Sequence, residues 1–426
     1  MTDAPHAARS ATHRATPMRG RDRRESHRAA SPLELLFDLT FVIGFGNAAS
    51  QLAHQLAEGH YGPGLLAFTI AIVSVCWAWI NYSWFSSAYD TDDWIFRLAT
   101  MVQMVGVIIL SLGIPRLFDS LAHGGNVDNR VMTLGYVVMR LAMVFLWLRA
   151  ARHDAAHRRA CLTYASVIFI AQIGWSALAI VNPPLGPHVA FASLLALVEM
   201  SGPALAERKD GGTPWHAHHM SERHGLLAII ALGEGVVGAV ASVSAIVDTR
   251  GWSVDAVLIC TAGVGLTFGM WWTYFVVSFA EVLDAHRRRA FVWGYGHIVI
   301  FAAIAAMGAG LHVAALVIQG KAHIGAAAAT SAVAIPVAVY LLMVYALYTY
   351  MLRARDAVHI VLLALTALVL GAAVVMAASG FSLTHCLMVL TLAPIVTVIG
   401  YETFGHRHAD TALARETARE RSSETT

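Results

Sequence analysis

The sequence predicts an all-α integral membrane protein of about twelve transmembrane helices, arranged as two parallel six-helix repeats. The first observation is bulk composition: of 426 residues 57% are hydrophobic and 13% charged, and mean hydropathy is +0.61. A soluble domain carries far more charge. The second is a series of twelve apolar runs, near 33–56, 64–86, 96–118, 131–149, 160–181, 188–206, 223–247, 254–280, 291–318, 326–352, 358–379 and 382–403. Each approaches the length needed to cross a bilayer. With a cytoplasmic N-terminus, 24 of the 29 Lys and Arg fall in cytoplasmic segments, four in the opposite loops and one, Arg140, within a span. Basic residues collect on that side of a membrane, and a miscount by one helix would scramble the alternation.

The third observation is internal similarity. Trp79-Ile80-Asn81-Tyr82 recurs as Trp271-Trp272-Thr273-Tyr274, Arg97 as Arg289, Leu148-Arg149-Ala150 as Leu352-Arg353-Ala354, His157 as His359, and Glu199 with Gly202 as Glu402 with Gly405. The common order and nearly constant offset point to a duplication, and six spans per half give both halves the same orientation. The expected organisation is a basic cytoplasmic tail (1–30), a first repeat (31–206), a cytoplasmic linker (207–221), a second repeat (222–405) and a cytoplasmic tail (406–426). Both termini then lie on the cytoplasmic side of the membrane.

Taken in order, the tail holds Arg9, Arg14, Arg19, Arg21, Arg23, Arg24 and Arg28 without an apolar core. That excludes a cleaved signal peptide and reads as a solvated basic segment beside anionic lipid. The first span is marked by Ser31 as N-cap, Pro32 at the first helical position and Glu34 at the third, a capping-box spacing. One turn on, Asp38 lies where capping no longer explains a carboxylate. Asn47, Gln51 and His54 add polar groups to the same span, an expense that marks a functional helix.

The aromatic block Trp77, Trp79, Tyr82, Trp84 and Phe85 reads as an interfacial belt, and Asp90, Asp92 and Asp93 before Arg97 as a solvated turn. Glu199 and Glu402, at equivalent ends of the sixth and twelfth spans, are expected at the interface. The second half opens Ser221-Glu222-Arg223-His224, with Glu222 equivalent to Glu34. Twelve residues later Glu234 falls about 18 Å along the helix, near the bilayer midplane, flanked by Gly233 and Gly235. An ionised acid there costs about 2.5–3.5 kcal/mol, so it needs a partner or a proton, and Arg140 is the candidate cation. Among the 21 histidines, His216, His218, His219 and His224 have ligand-like spacing without a cysteine nearby. The four cysteines lie in separate apolar runs. No metal site, cofactor, nucleotide loop or nucleic-acid partner is indicated; the expected partners are the lipid bilayer and an unidentified small molecule or ion.

Two stretches resemble a known family. Pro32-Leu33-Glu34-Leu35-Leu36-Phe37-Asp38-Leu39-Thr40-Phe41-Val42, and Glu222-Arg223-His224-Gly225-Leu226 with the following Leu232-Gly233-Glu234, are similar to the signature segments of the bacterial low temperature requirement protein A family. Leu36 and His224 depart from it by standing where an aromatic is commoner. The resemblance implies a multi-pass protein of the bacterial inner membrane and a link to growth in the cold, without defining chemistry. The functional expectation is a proton-coupled secondary transporter with no catalytic residue. Asp38 and Glu234 are its primary ion- or substrate-linked candidates, joined by Glu34, Glu222, Arg140, Glu199 and Glu402. A membrane-embedded redox or metal enzyme and a non-catalytic envelope protein are the alternatives.

Overall fold

A computed structural model describes residues 15–22, 25, 28–209, 211–276, 279–352 and 357–405. Arg9, Arg14, Arg23, Arg24, Arg353, Ala354 and the C-terminal tail lie outside them. Every regular element among the described residues is helical, the solution a bilayer imposes by offering backbone groups no other partner. The first six spans are α1 (Pro32–Ala57), α2 (Tyr61–Tyr89), α3 (Trp94–Ala122), α4 (Arg130–His153), α5 (Arg158–Val181) and α6 (Leu185–Ala206). The next six are α7 (Ala217–Arg250), α8 (Val254–Phe275) with the short α9 (Phe279–Ala285), α10 (Ala290–Ile318), α11 (Ala326–Leu352), α12 (Ala357–Ala378), and α13 (Leu383–Leu390) continued by α14 (Leu392–Gly400). Twelve helical segments of the described chain are long and apolar enough to cross a membrane.

Helix ends follow local chemistry. The Ser31 capping box is formed, with Glu34 N donating to Ser31 Oγ at 3.3 Å and Ser31 N to Glu34 Oε2 at 2.8 Å. α7 ends at Gly251, whose φ of 73° favours a residue without Cβ. It begins at Ala217, inside the stretch expected as linker, so Glu222 stands on its second turn and Arg223 within the span.

α1 packs against α2, α3, α7 and α10, while α10 also meets α7 and α11 and is the most enclosed span. The junction of the two halves is therefore built by α1, α7 and α10. Within the first half α3 packs on α4, α4 on α5 and α5 on α6; within the second, α10 packs on α11, α11 on α12 and α12 on α14. The last span breaks at Thr391, and both of its pieces rest on α8.

Two expectations change. The end of the N-terminal segment is not a solvated tail: Met18 and Arg28 are buried, and Arg21 N donates to the Ala88 carbonyl at 3.2 Å. Nor is the aromatic block an interfacial belt. Trp77, Trp79, Tyr82, Trp84 and Phe85 all turn inward, because α2 lies between α1 and its neighbours and has little lipid-facing surface along its second half.

Candidate functional site

Where α1, α2 and α7 meet, five charged side chains and one histidine gather. Arg223 grips Asp38 side-on, Nη2 to Oδ1 at 2.6 Å and Nε to Oδ2 at 3.0 Å, the planar two-bond geometry that suits guanidinium and carboxylate. Trp79 Nε1 donates to the same Asp38 Oδ1 at 2.6 Å. Glu34 Oε1 lies 3.0 Å from Arg223 Nη1, 3.1 Å from His219 Nε2 and 3.3 Å from Arg28 Nη2. Arg28 also donates to the carbonyls of Ser86 and Ser87 and lies 3.4 Å from Asp90. Asp38, Glu34, Arg223 and His219 are fully enclosed. Charges so deep persist only when paired and hydrogen-bonded. Here two arginines face three carboxylates, and His219 supplies the third potential cation. At the rim, burial pushes Asp90 above the ordinary aspartate range, Glu34 adds repulsion, and Arg28 opposes both.

Glu234 lies elsewhere and in another state. It stands at the middle of the 34-residue α7, on the wall of a cavity of about 340 Å³ between α1, α7 and α10. Gly46, Asn47, Ser50, Gly308 and His312 share that wall. Among the described residues no cation or hydrogen-bond donor reaches its carboxylate. A Cβ on Gly46 would sit 3.2 Å from Glu234 Oε1, and one on Gly308 2.6 Å from the Glu234 carbonyl carbon and oxygen, so both glycines keep this crossing close. Of the two glycines beside Glu234, only Gly235 meets neighbours, Thr267 and Met307.

Arg140 is not the partner of Glu234. It pairs with Glu199 at 3.1 Å, while Tyr136 takes a 2.6 Å hydrogen bond from Arg140 and gives one of 2.9 Å to Glu199. Trp175 Nε1 closes the group on Glu199 Oε2 at 3.0 Å. Glu199 is thus buried rather than interfacial, because α4 and α5 bring Arg140 and Trp175 to it. Glu402 does stay exposed, accepting from Trp272 at 3.2 Å, and Glu222 is exposed, accepting from Ala30 N at 3.4 Å.

The acidic turn before α3 is not wholly solvated: Asp93 is buried and pairs with Arg149, which α4 brings to it, while exposed Asp92 pairs with Arg97 at 2.8 Å. Burial pushes Asp93 up, but hydrogen bonds from Arg149 and from Phe96 N and Thr16 N outweigh it and leave Asp93 below its ordinary range. The histidines near 216–224 diverge instead of converging. His216 caps α7 and meets the Glu25 carbonyl at 2.8 Å, His219 faces Glu34, and His224 hydrogen-bonds the Met220 carbonyl between Trp79, Trp293 and His297.

Sequence reasoning placed Glu34 and Asp38 but missed the cations that hold them. Arg28 stood in an apparent tail, and Arg223, at the head of the second repeat, was counted only among the cytoplasmic charges. The signal for Arg223 was its place in the Glu222-Arg223-His224 head: with the helix begun at Ala217, the arginine lies inside the span and not at its edge, and like Asp38 it needs a partner.

The profile of the Bacterial low temperature requirement A protein (LtrA) family matches residues 29–394, a range that includes every member of the network except Arg28. An uncharacterized protein of Rhizobium meliloti (strain 1021) is 25% identical over 293 residues, covering 65% of this chain and 67% of the relative. No solved structure matches the chain. With twelve apolar helices, buried ion pairs at both signature stretches and a family profile spanning most of its length, the chain belongs to the bacterial low temperature requirement A protein family.

Proposed function

We propose that this protein is a proton-coupled secondary transporter in which Glu234 carries the exchanging proton and the Asp38–Arg223–Glu34 network holds the two halves together. The observation that carries this reading is the contrast between the acids. Asp38 and Glu34 are fixed by arginines, whereas Glu234 has a cavity in front of it and no counter-ion among the described residues. In hydrocarbon an uncompensated carboxylate is costly, so Glu234 rests protonated and ionises when water or a substrate reaches the cavity. His54 and His312, with ring centroids 6.2 Å apart, lie along the same α1–α10 seam and offer a relay toward the end opposite Arg28.

Dicyclohexylcarbodiimide, which modifies protonated carboxyls in apolar surroundings, provides the test. Labelling of Glu234 that falls as pH rises, without labelling of Asp38 or Glu34, is expected. Loss of function in Glu234→Gln at normal protein levels should accompany it, read as growth in the cold of a strain lacking the native copy. Labelling at Asp38 instead, or full complementation by Glu234→Gln, rejects the assignment.

A further inference from the structure

Inside the first half lies a second cavity, of about 250 Å³, bounded by α2 through α6 and separate from the Glu234 cavity. Its origin is a difference in helix packing. The eighth and twelfth spans lie against each other, the twelfth setting Thr391 and Pro394 onto Gly265 and Gly269 of α8. The second and sixth spans stand apart, and α6, the least enclosed helix, rests mainly on α5. The space between them is the cavity.

Its wall defines what it can take. Ile70, Val73, Met132 and Ala196 make it predominantly apolar. The one charged side chain on it, Glu199, is already neutralised by Arg140 and saturated by Tyr136 and Trp175, so an ionic guest would bring an uncompensated charge. Eleven residues before Glu199 on α6, about 16 Å along the helix, His188 Nε2 meets Asn129 Nδ2 at 3.3 Å. That contact makes Nε2 the acceptor and Nδ1 the protonated nitrogen. Both His188 Nδ1 and Asn129 Oδ1 are buried without a partner, a costly state for polar groups on a cavity wall. They leave one donor and one acceptor unsatisfied on neighbouring residues of the wall. A hydroxyl has both a proton for Asn129 and a lone pair for His188; a carboxylate has nothing to give Asn129, and an ammonium nothing to accept from His188.

We propose that this cavity is a binding site for a small uncharged amphipathic molecule with an apolar body and a hydroxyl head, the head at Asn129 and His188 and the body along α2 and α6. The site does not depend on the role of Glu234.

The experiment uses the full chain in lipid nanodiscs and a diazirine-bearing octanol as photolabel. Saturable adducts on the segments 129–136 and 188–200 are expected, competed by octanol and not by octanoate or octylammonium. Ala196→Phe, which fills the cavity, should remove them, and Asn129→Leu should weaken competition by about tenfold. Glu234→Gln should label as wild type. If Ala196→Phe does not fold, Ala192→Phe on the preceding turn makes the same test. Adducts that do not saturate, that persist in the filled cavity, or that octanoate displaces as well as octanol does would overturn the proposal.

Discussion

Arg223 and Asp38 meet through two hydrogen bonds, at 2.6 and 3.0 Å, across 185 residues of chain. The contact ties the first helix of one half to the first helix of the other. Neither side chain is exposed, so each is the condition for the other's burial.

Removing the cation should therefore cost more than removing the pair. Arg223→Leu strands Asp38 and Glu34 and is expected to lower stability by about 3–5 kcal/mol. Asp38→Asn/Arg223→Leu should lose less than the sum of its two single changes. Thermal unfolding of the four proteins in one detergent gives the cycle; strict additivity would show that the contact contributes no coupling.

Gly308→Ala tests the crossing at Glu234. Its methyl would press on the Glu234 backbone at 2.6 Å, and overpacking of this kind costs about 1–3 kcal/mol. A lowered unfolding temperature with carbodiimide labelling of Glu234 altered is expected. Gly233→Ala, which meets nothing within 4 Å, should leave both unchanged.

Glu199→Ala should be worse tolerated than Glu402→Ala. The first leaves Arg140 buried without its counter-ion, at a cost of about 3–5 kcal/mol. The second removes an exposed acceptor from Trp272, a change worth about 0.5 kcal/mol or less. Equal loss of folded protein from the two would contradict the burial of Glu199.

The N-terminal segment should release in acid. Asp93 holds Thr16 and Arg149, and its folded-state value lies below that of an ordinary aspartate, about 3.9. Its contribution is thus complete above the unfolded value and lost as pH falls through the folded one. A spin label on Arg19→Cys, in a Cys260→Ser background, should stay immobilised down to about pH 4 and become mobile below it. Mobility at neutral pH would mean that the segment does not dock there.

Charge placement makes the topology testable as well. Reporters fused at either end should both be cytoplasmic, and superposing 31–206 on 221–405 should match helix order and direction without inversion. A periplasmic reporter at one end would break the twelve-span alternation.

What the sequence by itself determined is what hydropathy and local chemistry encode: the twelve spans, the capped start of α1 and the acids too deep to be ordinary. These follow from transfer of short segments out of water, which each segment undergoes alone. Which charge answers which acid was decided only in the tertiary structure. Arg140 stood as the candidate for Glu234 on depth alone, yet it faces Glu199, while Arg28 in the expected tail and Arg223 at the head of the second repeat close on Glu34 and Asp38. Depth is a one-dimensional quantity, fixed by position along a helix. Pairing also depends on rotation about each axis and on which helices are neighbours, and these are set by side-chain packing among distant segments. The same holds for Trp79, whose indole looked suited to the membrane surface until α1 and α7 enclosed it.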